Sequence, residues 1–359
     1  MKVLYPPESA RDVRARKARS RRTVFASVAA FVVLVIAGVY LWPQSSPTMG
    51  ELFQEADPRV VSSLRGFRGD HPIQRVDVRG RIWPYVRLGE SPEAVLFVHG
   101  MGGSYDIWWQ QMRALVDRYT VISVAYAAEP YLDGSARALE SVLDREGIER
   151  VHLVGTSMGG YVAQYFASTE PERVTSLVLS NTFPPGDWIE EEYGTLASLL
   201  PILPAWTPQR FYRKSIEESI FPASGGSQLV RGYLLEQSYR MSKNDFRARV
   251  SVLRQGFAVP DLEALGIPAL IIEADNDPLV PAEVRAALTR TYSSAPVITM
   301  RDVGHFPYLN RPAAYTGILE DFWNGLRVAD TLPVSSPPPS SPSPADPPPP
   351  TAFPSAGPP

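Results

Sequence analysis

Residues 151–160 place the strongest constraint on the fold of this chain. A short apolar run ends in Gly-Thr-Ser-Met-Gly-Gly, and a stretch of small residues follows. This pattern is typical of a sharp strand-to-helix turn that holds a serine hydroxyl above a sheet. The flanking glycines leave room around a strained serine backbone. We therefore predict that Ser157 is a nucleophile, with an ordinary glycine-rich turn as the alternative.

Apolar runs alternate with helical patterns on both sides of this stretch. Buried strands are predicted at 94–98, 120–125, 151–154, 174–179, 269–273 and 297–300. Helices are predicted at 106–116, 134–146, 158–168, 282–292 and 312–326, and a hairpin at 75–78 and 82–88. This alternation indicates the α/β class, with a mostly parallel twisted sheet of about eight strands and helices on both faces.

The alternation of strands and helices stops between residues 183 and 259. No strand is convincing there, and helical patches occur at 209–218 and 228–239. We predict an inserted helical cap over a domain at 71–328. The cap contains several large aromatic residues, which together predict an apolar pocket, although for any single ring packing of the cap onto the sheet is the better interpretation. These residues are Trp188, Trp206, Phe211, Tyr212 and Phe221.

The N-terminal region predicts a membrane anchor. Residues 24–42 are apolar apart from Ser27, and seven basic residues lie between residues 11 and 22. This length can span a bilayer, so we predict a transmembrane helix at 23–42. By the positive-inside rule, we predict that residues 1–22 are cytoplasmic and that the rest of the chain is extracytoplasmic. A cleaved signal peptide is the alternative, and initiation at Met49 would yield a soluble cytoplasmic protein.

Composition and charge limit the partners. The net charge is −3; residues 1–22 hold eight basic and two acidic side chains, or +6, which leaves −9 for the rest. An acidic globular part argues against nucleic acid as a partner. The absence of cysteine excludes disulfides and thiolate chemistry. We predict a polar linker at 43–70, with a short helix at 49–56, and a disordered spacer in the proline-rich tail at 329–359.

A serine nucleophile needs a base and an acid that orients the base. Asp277 follows the predicted strand at 269–273, and His305 follows the strand at 297–300. The chain order Ser157, Asp277, His305 matches one class of catalytic triad. Asp275 stays open as the alternative acid, while Asp302 is expected to be solvated.

The other three histidines have structural interpretations. His71 lies in the predicted linker, and His152 lies on the strand before the serine as a packed residue. His99 opens a glycine-rich loop at 99–103, where we expect its ring to bond to backbone. The same loop would supply one oxyanion donor, the N–H of Met101. The N–H of Met158, at a helix N-terminus, would supply the other.

Four motifs together resemble the α/β-hydrolase family. They are residues 99–103, 155–160, 277–281 and 304–309, and the resemblance extends from about 75 to 327. Segments 121–124, 150–155, 160–164 and 306–309 resemble maspardin-like members in particular. Maspardin is regarded as a binding protein, but this chain keeps an acid and a histidine at the expected positions.

These observations predict a membrane-anchored serine hydrolase that cleaves a small apolar ester or acyl substrate. The predicted site is Ser157, Asp277 and His305, with Met101 and Met158 as oxyanion donors. No cofactor or metal is required for this chemistry. Two alternatives remain open: a non-catalytic binding or adaptor protein on the same fold, and a C–C bond hydrolase or perhydrolase that uses the same triad.

Overall fold

A computed structural model of the chain describes residues 10–41 and 45–331. Eight strands form one sheet: β1 (Gln74–Val78), β2 (Arg81–Leu88), β3 (Ala94–Val98), β4 (Thr120–Val124), β5 (Val151–Thr156), β6 (Val174–Ser180), β7 (Ala269–Ala274) and β8 (Val297–Met300). Their order in the sheet is β1-β2-β4-β3-β5-β6-β7-β8. The pairs β1–β2 and β2–β4 are antiparallel and all others are parallel. The predicted mostly parallel sheet and its N-terminal hairpin are confirmed.

The described residues form fourteen α-helices, of which several pack on the two faces of this sheet and the first is exposed. They are α1 (Ala10–Tyr40), α2 (Met49–Leu52), α3 (Pro58–Asp70), α4 (Trp109–Leu115), α5 (Leu132–Arg145), α6 (Met158–Thr169), α7 (Trp188–Leu199), α8 (Thr207–Ser215), α9 (Phe221–Ala223), α10 (Gln228–Arg240), α11 (Lys243–Leu253), α12 (Ala282–Thr291), α13 (Pro307–Asn310) and α14 (Pro312–Thr331). Short 3₁₀ turns occur at Tyr105–Trp108 and Pro171–Arg173, and a π-helical turn at Ile216–Ile220.

The central strands are buried on both faces because their sequences are continuous apolar runs. Every residue of β3, β4 and β5 is buried. One core contains Leu139 of α5 and Phe166 of α6. The other contains Phe67, Trp109 and Trp323 from α3, α4 and α14. The two cores fix the sheet between helices. Because strands β3 to β8 are parallel, their carboxyl ends lie at the same edge of the sheet.

The prediction of a linker at 43–70 is wrong for residues 58–70, which form a packed helix, whereas the short helix predicted at 49–56 is present at 49–52. Asp57 caps α3 by accepting from the N–H of Arg59, and Pro58 occupies the first turn. The buried side chains of Val61, Leu64 and Phe67 recur every three residues and pack into the core. Arginines and glycines between them lower the mean hydropathy and hide this stripe in the sequence. Residues 43 and 44 lie outside the described residues.

The predicted cap is a run of helices between β6 and β7. Residues 183–259 hold α7 to α11 and no strand. The helical patches predicted at 209–218 and 228–239 correspond to α8 with its π-helical turn and to α10. Helices α7 and α11 are additional, and α11 begins with a capping box formed by Ser242 and Asp245.

The two ends differ in extent from the predicted segments. Helix α1 starts at Ala10, within the basic stretch, and its segment Arg19–Tyr40 is long and apolar enough to cross a membrane by length and composition. The predicted end of the span, Trp42, lies outside the described residues. Helix α14 continues to Thr331, which is beyond the predicted start of the tail. Residues 332–359 lie outside the described residues.

Candidate active site

Ser157 occupies a strained turn between β5 and α6. Its φ is 53° and its ψ is −125°, a backbone conformation that is rare for residues other than glycine. Three hydrogen bonds hold it there. The Ser157 N–H donates to the Ser180 carbonyl at 3.0 Å, while the Ser157 carbonyl accepts from the Tyr161 N–H at 3.1 Å and the Thr182 hydroxyl at 2.6 Å. The side chain stays partly exposed at the sheet edge.

The glycines around Ser157 are required by close backbone approach. A Cβ at Gly159 would overlap the carbonyl oxygen of Val98, and one at Gly155 would lie 2.5 Å from the Gly159 carbonyl oxygen. On the other side of the serine, a Cβ at Gly100 would lie 2.9 Å from the Ser157 Cβ. The turn therefore presses directly against the glycine-rich loop after β3.

Asp277 and His305 are brought together at the same edge. The His305 Nδ1 lies 2.8 Å from Oδ2 and 2.9 Å from Oδ1 of Asp277. Both residues are buried. Asp277 follows the carboxyl end of β7, and His305 follows the carboxyl end of β8. A proton on Nδ1 satisfies this contact and leaves Nε2 as the basic nitrogen.

The Asp277 carboxylate is well satisfied by donors. Its Oδ1 accepts from the N–H groups of Leu279 and Val280 at 2.8 and 3.1 Å, and its Oδ2 accepts from the Asn181 side-chain amide at 2.8 Å. Burial by itself raises the pKa of Asp277, but the charge and hydrogen bonds of His305 and the bonds from Asn181 and Leu279 outweigh it. The pKa of this carboxyl is therefore lowered, which keeps it ionised.

Asn181 is a site residue that the sequence reasoning missed. It directly follows β6, has a φ of 43°, and its N–H donates to the Ile272 carbonyl at 2.8 Å. Its place after a strand at the carboxyl edge was the available signal, since polar residues there converge on one site. Asp275, the alternative acid, accepts from the Asp302 N–H at 3.0 Å and so joins the loop after β7 to the loop after β8.

His152 and His99 have the structural environments that were predicted. His71 differs, because it follows a packed helix and not a linker. His152 is buried and bonds to Ser176 Oγ at 2.7 Å and Glu93 Oε1 at 2.8 Å. His99 Nδ1 lies 2.7 Å from the Gly100 carbonyl oxygen. His71 follows α3 and is partly buried.

The two residues predicted as oxyanion donors lie in the serine turn and in the glycine-rich loop that packs against it. Met158 is the first residue of α6, where N–H groups point out of the helix end. Met101 lies in a turn closed by the Gly103 N–H, which donates to the Gly100 carbonyl at 3.1 Å. The Met101 carbonyl accepts from Nη1 of Arg249 on cap helix α11. The glycine-rich loop is thus contacted by the serine turn and by the cap.

The aromatic residues of the cap occupy different environments. Tyr212 lies against the glycine-rich loop, where its hydroxyl fills the space that a Cβ at Gly102 would take. Trp188 packs edge-on against Phe183 at 4.5 Å between ring centroids. Trp206 donates from its indole N–H to the Val39 carbonyl of α1 at 2.9 Å, and Phe211 is 61% exposed. For several of these rings the packing alternative therefore applies.

One wide cleft lies away from these residues. It has a volume of about 890 Å³ and is lined by residues 259–263, 266–269 and 291–296, at the amino ends of β7 and β8. It contains none of the predicted site residues, and in parallel sheets ligands bind at the opposite, carboxyl edge. Within residues 10–41 and 45–331, no three His, Asp or Glu side chains cluster as metal ligands.

Known proteins resemble this chain over most of its length. A family model described as "Alpha/beta hydrolase family" matches residues 95–317. Human maspardin is 24% identical over 282 residues, which cover 74% of this chain and 85% of maspardin. A pimeloyl-[acyl-carrier protein] methyl ester esterase of Aeromonas salmonicida is 25% identical over 248 residues, 66% of this chain and 97% of the esterase. The crystal structure of a bacterial membrane phospholipase A has a TM-score of 0.59 at 22% identity and covers 85% of this chain and 99% of its own. The resemblance inferred from the sequence motifs is confirmed.

Proposed function

The chain belongs to the alpha/beta hydrolase family, and from this premise we propose that it is a membrane-anchored serine hydrolase that cleaves carboxylic esters through an acyl-enzyme. The observation that carries the proposal is the buried pair of His305 and Asp277, with 2.8 Å between Nδ1 and Oδ2, at the edge where Ser157 turns out of the sheet. An ionised acid bound to one imidazole nitrogen leaves the other nitrogen as a base.

The proposed reaction has two halves. Nε2 of His305 takes the proton of the Ser157 hydroxyl as Oγ attacks the ester carbonyl carbon. His305 then gives this proton to the departing alcohol oxygen, and the acyl group remains on Ser157. Water repeats the sequence with His305 as base, and the acid is released. Asp277 stays ionised throughout and stabilises the charged imidazole.

Backbone donors would stabilise the negative charge that develops on the carbonyl oxygen. The Met158 N–H lies at the N-terminus of α6, where the helix dipole favours an anion. The Met101 N–H belongs to the glycine-rich loop. This loop packs closely against the serine turn, since a Cβ at Gly100 would lie 2.9 Å from the Ser157 Cβ. A preorganised donor of this kind contributes about 10²–10³-fold to kcat.

The membrane anchor is supported by α1. Its segment Arg19–Tyr40 is long and apolar enough to cross a membrane, and its apolar side chains are not covered by the rest of the described chain. Near its C-terminal end, the Tyr40 hydroxyl donates to the Ile202 carbonyl and the Val39 carbonyl accepts from Trp206. A cap held at the end of a spanning helix would lie next to the bilayer surface, where amphiphilic esters accumulate.

A panel of p-nitrophenyl esters of graded acyl length tests the enzyme assignment. A phospholipid belongs in the panel because the similar membrane phospholipase A is named for that substrate. We expect turnover by the parent chain and a loss of about 10⁵-fold in kcat for Ser157→Ala. Ser104→Ala, in the loop before α4, is the matched control. Equal turnover by Ser157→Ala and the parent would exclude Ser157 as nucleophile.

Protease treatment of intact cells tests the topology. If the domain is extracytoplasmic, added protease removes it while a cytoplasmic marker survives; in a double-membrane cell, the outer membrane is opened first. Protection of the domain until the inner membrane is lysed would contradict this orientation. Mass spectrometry of the N-terminal peptide of the purified protein distinguishes an intact anchor, a cleaved anchor and a chain that starts at Met49.

The similarity to maspardin favours a second candidate function, a binding protein on the same fold. The two candidate functions differ in whether the protein reacts covalently with an ester or with a serine-directed probe. A binding protein would retain affinity for an ester or acyl ligand and show no turnover of the panel and no reaction with a serine-directed probe. The intact Asp277–His305 pair supports the hydrolase over this alternative.

A further inference from the structure

Arg249 is a buried cation beside the glycine-rich loop. The residue lies on α11 and is 9% exposed. Its Nη1 donates to the carbonyl oxygen of Met101, and its guanidinium carbon lies 5.7 Å from the ring centroid of Tyr126. The guanidinium therefore touches the residue whose N–H is the proposed oxyanion donor.

The charge of Arg249 is not neutralised by an ion pair within the described part of the chain. Asp245, one turn earlier on α11, acts on it from a distance, but the Asp245 carboxylate is engaged by the N–H and hydroxyl of Ser242 at 2.9 and 2.6 Å. Burial lowers the pKa of Arg249, and Asp245 and the tyrosine phenols offset this only in part. A buried cation without a carboxylate is costly unless another anion joins it.

Two donors at this place have no hydrogen-bond partner among residues 10–41 and 45–331. They are the Nε of Arg249 and the hydroxyl of Tyr126, and both atoms are buried. A buried donor that is left unpaired loses its hydrogen bonds to water without replacement, so a ligand that accepts from it is favoured. Tyr126 also packs edge-on against the His99 ring at 4.7 Å.

His99 does not add positive charge to this cluster. Its Nδ1 contacts the Gly100 carbonyl oxygen, so the imidazole is protonated on that nitrogen. Burial, followed by the charge of Arg249, lowers the pKa of His99 to about 3. The imidazole is neutral at physiological pH, and the guanidinium is the cation in this cluster.

We propose that Arg249 and Tyr126 bind an anionic oxygen group of the substrate, a carboxylate or a phosphate, while its ester lies at Ser157. A guanidinium presents parallel N–H donors that match both groups. This inference rests on the proposed ester hydrolysis and narrows its substrate class to esters that carry a negative charge a short spacer away from the scissile carbonyl. A neutral apolar ester would leave both donors unpaired.

The alternative is that Arg249 only holds the glycine-rich loop through the Met101 carbonyl. In that case its removal would slow every ester by the same factor. The experiment therefore compares three p-nitrophenyl esters of similar length: the butyrate, the monoglutarate, which ends in a carboxylate, and the 4-phosphonobutanoate, which ends in a phosphonate.

KM is measured for each ester with the parent chain and with Arg249→Gln. For the anionic ester that the parent chain prefers, we expect the increase in KM to be about tenfold to a hundredfold larger than the increase for the butyrate. Arg249→Lys should restore part of the difference. Arg247→Gln, at an exposed position of the same helix, is the matched control and should leave the ratio unchanged. The ester with the larger change identifies the anion as carboxylate or phosphate.

A binding measurement on the Ser157→Ala chain separates this inference from the proposed function. Calorimetry should show tighter binding of the anionic ester than of the butyrate, and loss of that preference in Ser157→Ala with Arg249→Gln. If the Arg249→Gln chain does not fold, Tyr126→Phe, which keeps the ring, should reduce the preference severalfold. Equal changes for neutral and anionic esters would overturn the anion site even if hydrolysis is observed. Absence of all turnover, with anion-dependent binding retained, would overturn hydrolysis and keep the site.

Discussion

The loops at the carboxyl edge of the sheet and the helices of the cap are held by different contacts. At the edge, backbone meets backbone: the Ser157 N–H donates to the Ser180 carbonyl, and Gly159 lies against the Val98 carbonyl. In the cap, side chains reach down, as Tyr212 does to Gly102 and Arg249 to Met101. Backbone contacts cannot adapt to a substitution, whereas side chains can change rotamer. In the proposed function, the reacting groups therefore belong to the rigid region and the groups that select the substrate to the adaptable one.

The largest expected effect is that of removing the base from the rigid region. His305→Ala should lower kcat for p-nitrophenyl butyrate by about 10⁵-fold, because it removes the base that the proposed mechanism uses for the serine proton. His71→Ala, at a partly buried histidine after α3, should leave kcat unchanged. Steady-state kinetics measure both. A comparable loss in His71→Ala would indicate a general folding effect.

The next effect separates the two candidate acids. Asp277→Asn should lower kcat about 10³–10⁴-fold, because an amide would favour the wrong imidazole tautomer. Asp275→Asn should change kcat by less than about tenfold, because its side-chain oxygen can still accept from the Asp302 N–H. If Asp275→Asn is the more damaging change in the same assay, the orienting acid has been assigned to the wrong residue.

A pair of glycine substitutions tests the contrast in rigidity. Gly159→Ala should destabilise the fold by about 3 kcal/mol, because the new methyl group meets the backbone carbonyl of Val98. Gly102→Ala meets the end of the Tyr212 side chain, which can move, so the loss should stay below about 1 kcal/mol. Denaturant unfolding gives both values. Equal losses would show that the cap is as rigid as the sheet edge.

The smallest effect concerns Asn181 and depends on pH. The lowered pKa of Asp277 means that its ionised form stabilises the fold fully above about pH 4, and that this stability is lost as pH falls through the lowered pKa. Asn181→Ala removes a donor and raises that pKa. It should cost about 2 kcal/mol at pH 7 and progressively less below pH 4.

Unfolding free energies across this pH range test the prediction for Asn181. Asn244→Ala, at an exposed position of the cap, is the control. If Asn181→Ala lowers the free energy of unfolding by the same amount at pH 3 and pH 7, Asn181 stabilises the fold without acting through Asp277.

The rigid region was largely predictable from the sequence, since its strands are continuous apolar runs and its loops carry conspicuous residues such as Gly155 and His305. The cap was predictable as helical but not in its contacts. Arg249 lies among other charged residues on α11, and nothing in the sequence indicates that it turns inward. Asn181 was missed because one asparagine after a strand has no local pattern. Helix α3 was missed because its apolar stripe is interrupted by arginines, one of which, Arg68, pairs with Asp106 and Glu236.

Reaction with a fluorophosphonate probe tests the central claim that Ser157 is an activated nucleophile. The account predicts one adduct per chain, located by peptide mass spectrometry on Ser157, and no adduct in Ser157→Ala. An unlabelled parent chain alongside a reactive control esterase, or equal labelling of Ser157→Ala, would contradict it.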